Sequence, residues 1–237
     1  MRLSVALAVS LLMGGLAVAA ESASSVTPSS SGSAAETAKW IETTARAFEG
    51  AQALDRSVLR LALNAAVCAR EVGAVANERL LTVIDYSRAS TEPRLWVLDL
   101  DRPRVLFEEL VAHGQGSGDN YATRFSNDDG SHQTSLGLFR TADTYVGSNG
   151  YSLRLDGLEP GVNDRARDRA IVMHGAPYVS ESSLKALGRL GRSHGCPALR
   201  PAVARTVIDT IKQGSLVFAY YPNQQWLKGS RFLNGCS

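Results

Sequence analysis

The chain has 237 residues, 44% of them hydrophobic and 20% charged, and carries a formal net charge of +2. A balance this close to neutral excludes the broad basic face that nucleic acid requires, and the length suits one well-buried domain of ordinary size with a modest extension. Three cysteines are an odd number, so at least one thiol stays free whatever intramolecular pairing occurs.

In chain order, residues 1–20 (MRLSVALAVSLLMGGLAVAA) carry one cation at Arg2, an apolar run from Leu3 to Leu12, and the small residues Ala17, Ala19 and Ala20. This is the pattern of a secretory signal peptide, with cleavage expected after Ala19 or Ala20. No second apolar segment of about 20 residues follows, so no membrane span is expected once it is removed. No cysteine lies near Ala20 to take a lipid anchor.

Residues 21–36 are Ser-rich and poor in bulky apolar side chains, which reads as a flexible linker. Residues 37–74 show helical periodicity. Trp40, Ile41, Ala45 and Phe48 share one face, Gly50 interrupts, and Asp55 is placed to cap a second helix bearing Val58, Leu59, Leu61, Ala62, Ala65 and Ala66. On that helix Cys68 reads either as a small buried residue or as the partner of Cys236; the second pairing would leave Cys196 free.

Residues 75–237 change to a strand pattern. LLTVIDYS, RLWVLDL, RVLFEELVAH, TSLGLFRT, YSLRLDGL, RAIVMH and GSLVFAYY are β-branched and aromatic runs separated by turn residues. One helix is expected among them, from Pro201 to about Lys212, with proline in its first turn and Gly214 after its end. The fold class expected is mainly β (α+β), with a helical pair packed in front and one late helix.

The segment IVMHGAPYVSESSLKALGRLGRSHGCPALRP (171–201) gathers one cysteine and two of the four histidines. His174 ends a strand and Gly175 lets the chain turn. Ser193, His194, Gly195 and Cys196 then approach the helix that starts near Pro201, without an intervening strand on this reading. A thiolate is the reactive form of cysteine, and a helix N-terminus or an imidazolium lowers a thiol's pKa. A histidine fixed at a strand end suits a general base, and the backbone N–H groups of Gly195 and Cys196 suit an oxyanion hole.

This HG…SHGC pattern resembles the signature of the L,D-transpeptidase (YkuD-type) catalytic domain. VAHGQGSG, FSNDDGS, TSLGLFRT, GYSLRLDGLEPGVNDRARDRAIVMHGAPYVS and GRSHGCPAL are similar to its murein L,D-transpeptidase branch, over roughly residues 75–222. The resemblance implies a β-rich catalytic fold, Cys196 as nucleophile, His174 as general base, and the Gly175 carbonyl orienting the imidazole. It implies supporting roles for Ser193, His194 and Gly195, and substrate-side positions for His113, Tyr178, Arg192 and Arg200. Ala198 stands where many relatives have Arg or Asn, and the segment 175–192 is long for the family; both departures lie on the substrate side.

The resemblance further implies an enzyme of the bacterial periplasm or cell envelope that acts on peptidoglycan stem peptides, with no metal or nucleotide cofactor. Its chemistry would be acyl transfer to a 3–3 cross-link, or carboxypeptidase or endopeptidase action on the same stems. A non-catalytic wall-binding module is the alternative of another class. His174, His194, Cys196 and His113 are the set a zinc site would use, though no HxH or HExxH spacing supports it. The glycines after His113 precede no helix, so a dinucleotide cradle fails. Asp128 and Asp129 lack the spaced ligands of a calcium loop, and His132 reads as a surface loop residue.

Overall fold

The structure, a computed structural model, describes residues 33–48 and 53–236. The stretch read as a signal peptide, residues 21–32 of the Ser-rich run, and Gly50 lie outside them. The element order is α1 (Ala34–Ala47), α2 (Arg56–Glu71), β1 (Leu80–Asp85), β2 (Leu95–Asp99), β3 (Arg104–Glu109), β4 (Gly137–Gly147), β5 (Gly150–Gly157), β6 (Val172–Gly175), α3 (Glu181–Leu187), β7 (Ala198–Leu199), α4 (Pro201–Ile211), β8 (Leu216–Tyr220) and α5 (Gln224–Gly229).

Eight strands form one sheet in the order β3-β2-β1-β8-β4-β5-β6-β7. The β1–β8 and β6–β7 pairs are parallel and the others antiparallel. The two outer strands then meet. Just past β3, Ala112 bridges to Ala198 of β7, with Ala112 N–H donating to the Ala198 carbonyl at 2.8 Å. A second bridge joins Gly114 to Ser193. The sheet therefore closes on itself in a barrel-like manner, which leaves no free edge along this stretch.

All residues of β1 and β2 are buried, because α2 packs against β1 and β8 and β2 sits between two strands. At the other end α4 packs against β5 and β6. Asp55 caps α2 as its residue type predicts, accepting from Ser57 N–H at 2.7 Å and Val58 N–H at 3.3 Å. The first helix begins earlier than composition indicates. Ser33 and Glu36 form a reciprocal capping box, which carries α1 into the run read as linker.

Three features correct the sequence reading. A short strand, β7, stands between Cys196 and α4, because Ala198 and Leu199 are drawn into pairing with β6. The helices α3 and α5 are additional to the single late helix expected. Neither shows an apolar stripe, since α3 buries no residue and α5 buries only Trp226. Local chemistry makes them: Ser180 caps α3 and Gly188 closes it at φ 63°, while Asn223 caps α5.

Cys68 and Cys236 are joined in a disulfide, 168 residues apart, and Cys196 is a free, buried thiol. A cross-link closing so long a loop restricts the unfolded chain strongly. Cys236→Ser is expected to lower stability by about 2–4 kcal/mol, read as a shift in the urea unfolding midpoint of non-reduced protein.

Candidate active site

The end of β6 and the turn before β7 hold the two residues that the motif singles out. His174 is 4% exposed. Its ring Nδ1 lies 3.0 Å from the Gly175 carbonyl, and a carbonyl only accepts, so Nδ1 carries the proton and Nε2 is left as the basic nitrogen. Burial pushes the His174 pKa below 6.5, opposed by that carbonyl contact, so the ring rests neutral. Glycine at 175 also permits close packing, for a Cβ there would meet Ala204 Cβ at 3.0 Å on α4.

Cys196 ends a tight turn fastened by its own serine. Ser193 Oγ donates to the Cys196 carbonyl at 2.7 Å and accepts from Gly195 N–H at 3.1 Å. The Gly195 N–H is thus already engaged, contrary to the expectation that it faces an oxyanion. Gly195 has φ 120°, and a Cβ on it would lie 2.8 Å from the Gln133 carbonyl, so this position needs glycine.

The sulfur rests on the approach to β6. It donates to the Ala170 carbonyl at 3.7 Å and accepts from Val172 N–H at 3.5 Å. Among the described residues no hydrogen bond joins it to the His174 ring. The two residues are neighbours through the backbone instead, with His174 N–H donating to the Pro197 carbonyl at 3.4 Å and His174 in register with Ala198. Burial, with Cys196 8% exposed, pushes the thiol pKa up, while Val172 N–H and the Arg169 guanidinium pull it down. The activated thiolate expected beside a helix N-terminus is therefore not the resting form. The intervening β7 separates sulfur from helix, and burial dominates.

The remaining candidates separate into distinct environments. His194 is exposed and stacks on His132, with centroids 4.1 Å apart and planes 7° apart. His132 is thus a loop residue that packs beside the turn through this stack. Its Nδ1 contacts Gln115 Nε2 at 2.9 Å, and its φ of 51° is unusual for a residue with a side chain. Tyr178 is half-buried with its hydroxyl pKa pushed up to about 12, first by burial and then by the Cys196 sulfur. That makes it the one substrate-side candidate within electrostatic reach of the thiol.

His113, Arg192 and Arg200 are each engaged by local partners. His113 is 1% exposed, accepting at Nδ1 from Arg94 Nη2 at 2.7 Å and facing the Gly118 carbonyl with Nε2. Arg192 holds the Gly118 carbonyl and Asp119, each at 2.8 Å. Arg200, at the N-cap of α4, forms a forked pair with Glu109 at the end of β3. The four side chains considered for zinc do not converge, and no group of three His, Cys, Asp or Glu suited to a metal occurs among the described residues.

Several contributors escaped sequence reasoning. Arg94 is fully buried and donates to the Val111 and Arg88 carbonyls as well as to His113, fixing the segment beyond β3. Burial pulls its pKa down to about 10. Glu159 and Asn163 tie the 158–170 loop to β4 through Leu138 N–H and the Leu136 and Leu138 carbonyls. Arg169 grips the 126–135 loop. The one hint in the sequence is the density of polar residues in EPGVNDRARDRA just before an apolar strand.

The family model of the L,D-transpeptidase catalytic domain matches residues 50–220. The chain belongs to that family, a family of enzymes, and α2 lies inside the matched region. No curated protein sequence matches this chain. Among solved structures, an L,D-transpeptidase from Mycobacterium smegmatis is 16% identical with a TM-score of 0.37, covering 60% of this chain and 59% of its own. One from Mycobacterium tuberculosis H37Rv is 18% identical with a TM-score of 0.35, covering 60% and 58%. One from Stackebrandtia nassauensis is 14% identical with a TM-score of 0.37, covering 78% of each chain. The chain thus spans less than two thirds of the length of the mycobacterial proteins it matches.

The buried His113 makes stability depend on pH. Burial, then the Arg94 charge, lowers its pKa from 6.5 to about 4, so the folded state resists a proton that the unfolded chain accepts. Its contribution is intact above pH 6.5 and is lost as pH falls toward 4, by up to about 3 kcal/mol. Unfolding free energies from urea titrations at pH 7 and pH 4 are expected to differ by less in His113→Gln than in the wild type, by about 3 kcal/mol.

Proposed function

We propose that this chain is a peptidoglycan L,D-transpeptidase with Cys196 as nucleophile and His174 as general base. The observation carrying this reading is the pairing of β6 with β7, which sets a neutral imidazole, its Nδ1 fixed on the Gly175 carbonyl, beside the turn that bears the free thiol. To give its proton to Nε2 the Cys196 thiol leaves the Ala170 carbonyl. The contacts it leaves are a weak S–H hydrogen bond and one backbone N–H.

The thiol proton passes to His174 Nε2 as sulfur attacks the carbonyl of the third residue of a tetrapeptide stem. The oxyanion is held by the Cys196 N–H, which in the resting state faces its own sulfur. On collapse the C–N bond breaks, D-Ala leaves with the proton from His174, and a thioester remains. An amine of a neighbouring stem, giving its proton to His174, attacks that thioester and forms the 3–3 cross-link while the thiol is restored. Water in place of the amine yields a carboxypeptidase by the same steps. Export through the signal-peptide stretch to the periplasm or cell envelope would bring the enzyme to this substrate, and no helix among the described residues is long and apolar enough to cross a membrane.

Purified protein incubated with defined tetrapeptide muropeptides is expected to give dimers that lack the terminal D-Ala, identified by mass spectrometry. Tripeptides alone would favour hydrolysis, and no product at all would sink the reading in favour of a wall-binding module. Cys196→Ala is expected to lose several orders of magnitude in rate, about 4–8 kcal/mol of barrier. Because His174 titrates below 6.5 and must be neutral to accept the proton, the acid limb of kcat/KM is expected below pH 6.5, measured across pH 4–8.

A further inference from the structure

We propose that Arg169 is the positioning residue that readies the Cys196 sulfur, a fixed guanidinium acting through the turn on which the sulfur rests. This rests on the reading of Cys196 as nucleophile.

The guanidinium is held at four points. Nη1 donates to the Ser126 carbonyl at 2.8 Å and Ser135 Oγ at 2.6 Å; Nη2 donates to Ser131 Oγ at 3.2 Å and the Gln133 carbonyl at 2.8 Å. None of these acceptors is charged, so no contact ion pair cancels the cation. A Cβ on Gly195 would lie 3.5 Å from Nη2, which puts the charge against the residue preceding Cys196.

The next residue, Ala170, has φ 52°, a left-handed conformation that is strained for a residue with a side chain. The strained turn presents the Ala170 carbonyl to the thiol proton and, two residues on, the Val172 N–H to the sulfur. It therefore serves both protonation states, the carbonyl stabilising the thiol and the N–H, with Arg169 behind it, stabilising the thiolate.

The other titratable groups near the sulfur offer no such charge. Tyr86, following β1, and Tyr178, following β6, both have pKa values pushed up by burial and are neutral. The His174 pKa is lowered by burial. His194 and His132 stack on each other on the exposed side of the turn. Asp128 and Asp129, exposed on the loop that Arg169 grips, act against its charge from longer range. Arg169 is itself half-buried with its pKa lowered by desolvation, the condition under which a charge is felt most by a neighbour.

The test is the pH profile of iodoacetamide alkylation at Cys196 in the full chain, with the modified peptide identified by mass spectrometry. In Arg169→Gln the midpoint is expected to rise by about one pH unit, about tenfold slower alkylation at pH 7. Arg169→Lys, which keeps the charge, is expected to stay within about threefold of wild type. Asp129→Asn, an exposed change, is expected to lower the midpoint, with alkylation about twofold faster at pH 7. A folded Arg169→Gln protein with the wild-type profile overturns the proposal. If Arg169→Gln does not fold, the Asp129→Asn profile decides, and an unshifted midpoint overturns it. Alkylation needs no peptidoglycan, so failure of the wild-type protein to process muropeptides would count against acyl transfer alone and leave the Arg169 result standing.

Discussion

Everything at the candidate site depends on the seam where the sheet closes. One pair of backbone hydrogen bonds, between Ala112 and Ala198, joins the strand that ends the first half of the sheet to the two-residue strand after the cysteine. With Gly114 bridged to Ser193, that seam fixes the thiol-bearing turn on both flanks. The backbones approach so closely there that a side chain at Gly114 would meet the His132 carbonyl and the Gly195 backbone. Backbone pairing holds its geometry better than a surface loop does, which is what a reacting group demands. The buried Arg94 reinforces the same seam, since the Val111 carbonyl and His113 that it holds lie in the segment that leads into it.

The resting electrostatics are those of two neutral groups. Burial raises the thiol and lowers the imidazole, so a thiolate–imidazolium pair is disfavoured before substrate arrives. Such a site suits a proton transfer coupled to attack, in which the base acts as the bond forms. It also keeps an oxidisable sulfur protonated, where a standing thiolate would be vulnerable to oxidation and disulfide exchange. The cost is that activation has to come from the surroundings, and the carbonyl, N–H and guanidinium around the 169–172 turn are the groups available.

Much of this was legible in the sequence, and what was missed shares one cause. Alternating and β-branched runs marked the main strands, Asp55 marked the start of α2, and the HG…SHGC segment marked His174 and Cys196, because each signal is local. The seam, the carbonyl cage around Arg94 and the hold of Arg169 on a loop some forty positions earlier are contacts between segments distant in sequence, with no periodicity to announce them. The partners of His113, Arg192 and Arg200, namely Arg94, the Gly118–Asp119 loop and Glu109, are likewise set by segments distant in sequence. The helices α3 and α5 have caps but almost no buried face, and apolar pattern is what a sequence displays most clearly.

The disulfide between α2 and the chain's last turns has a consequence of another kind. Cys68 and Cys236, separated by 168 positions, make the whole sheet and its site part of one covalent ring. Exposed segments such as α3, which buries no residue, are where a neighbouring protease would cut first. A single cut there opens the ring without releasing either piece, and the eight-stranded sheet keeps both in register. The fold can therefore be nicked and still stay assembled.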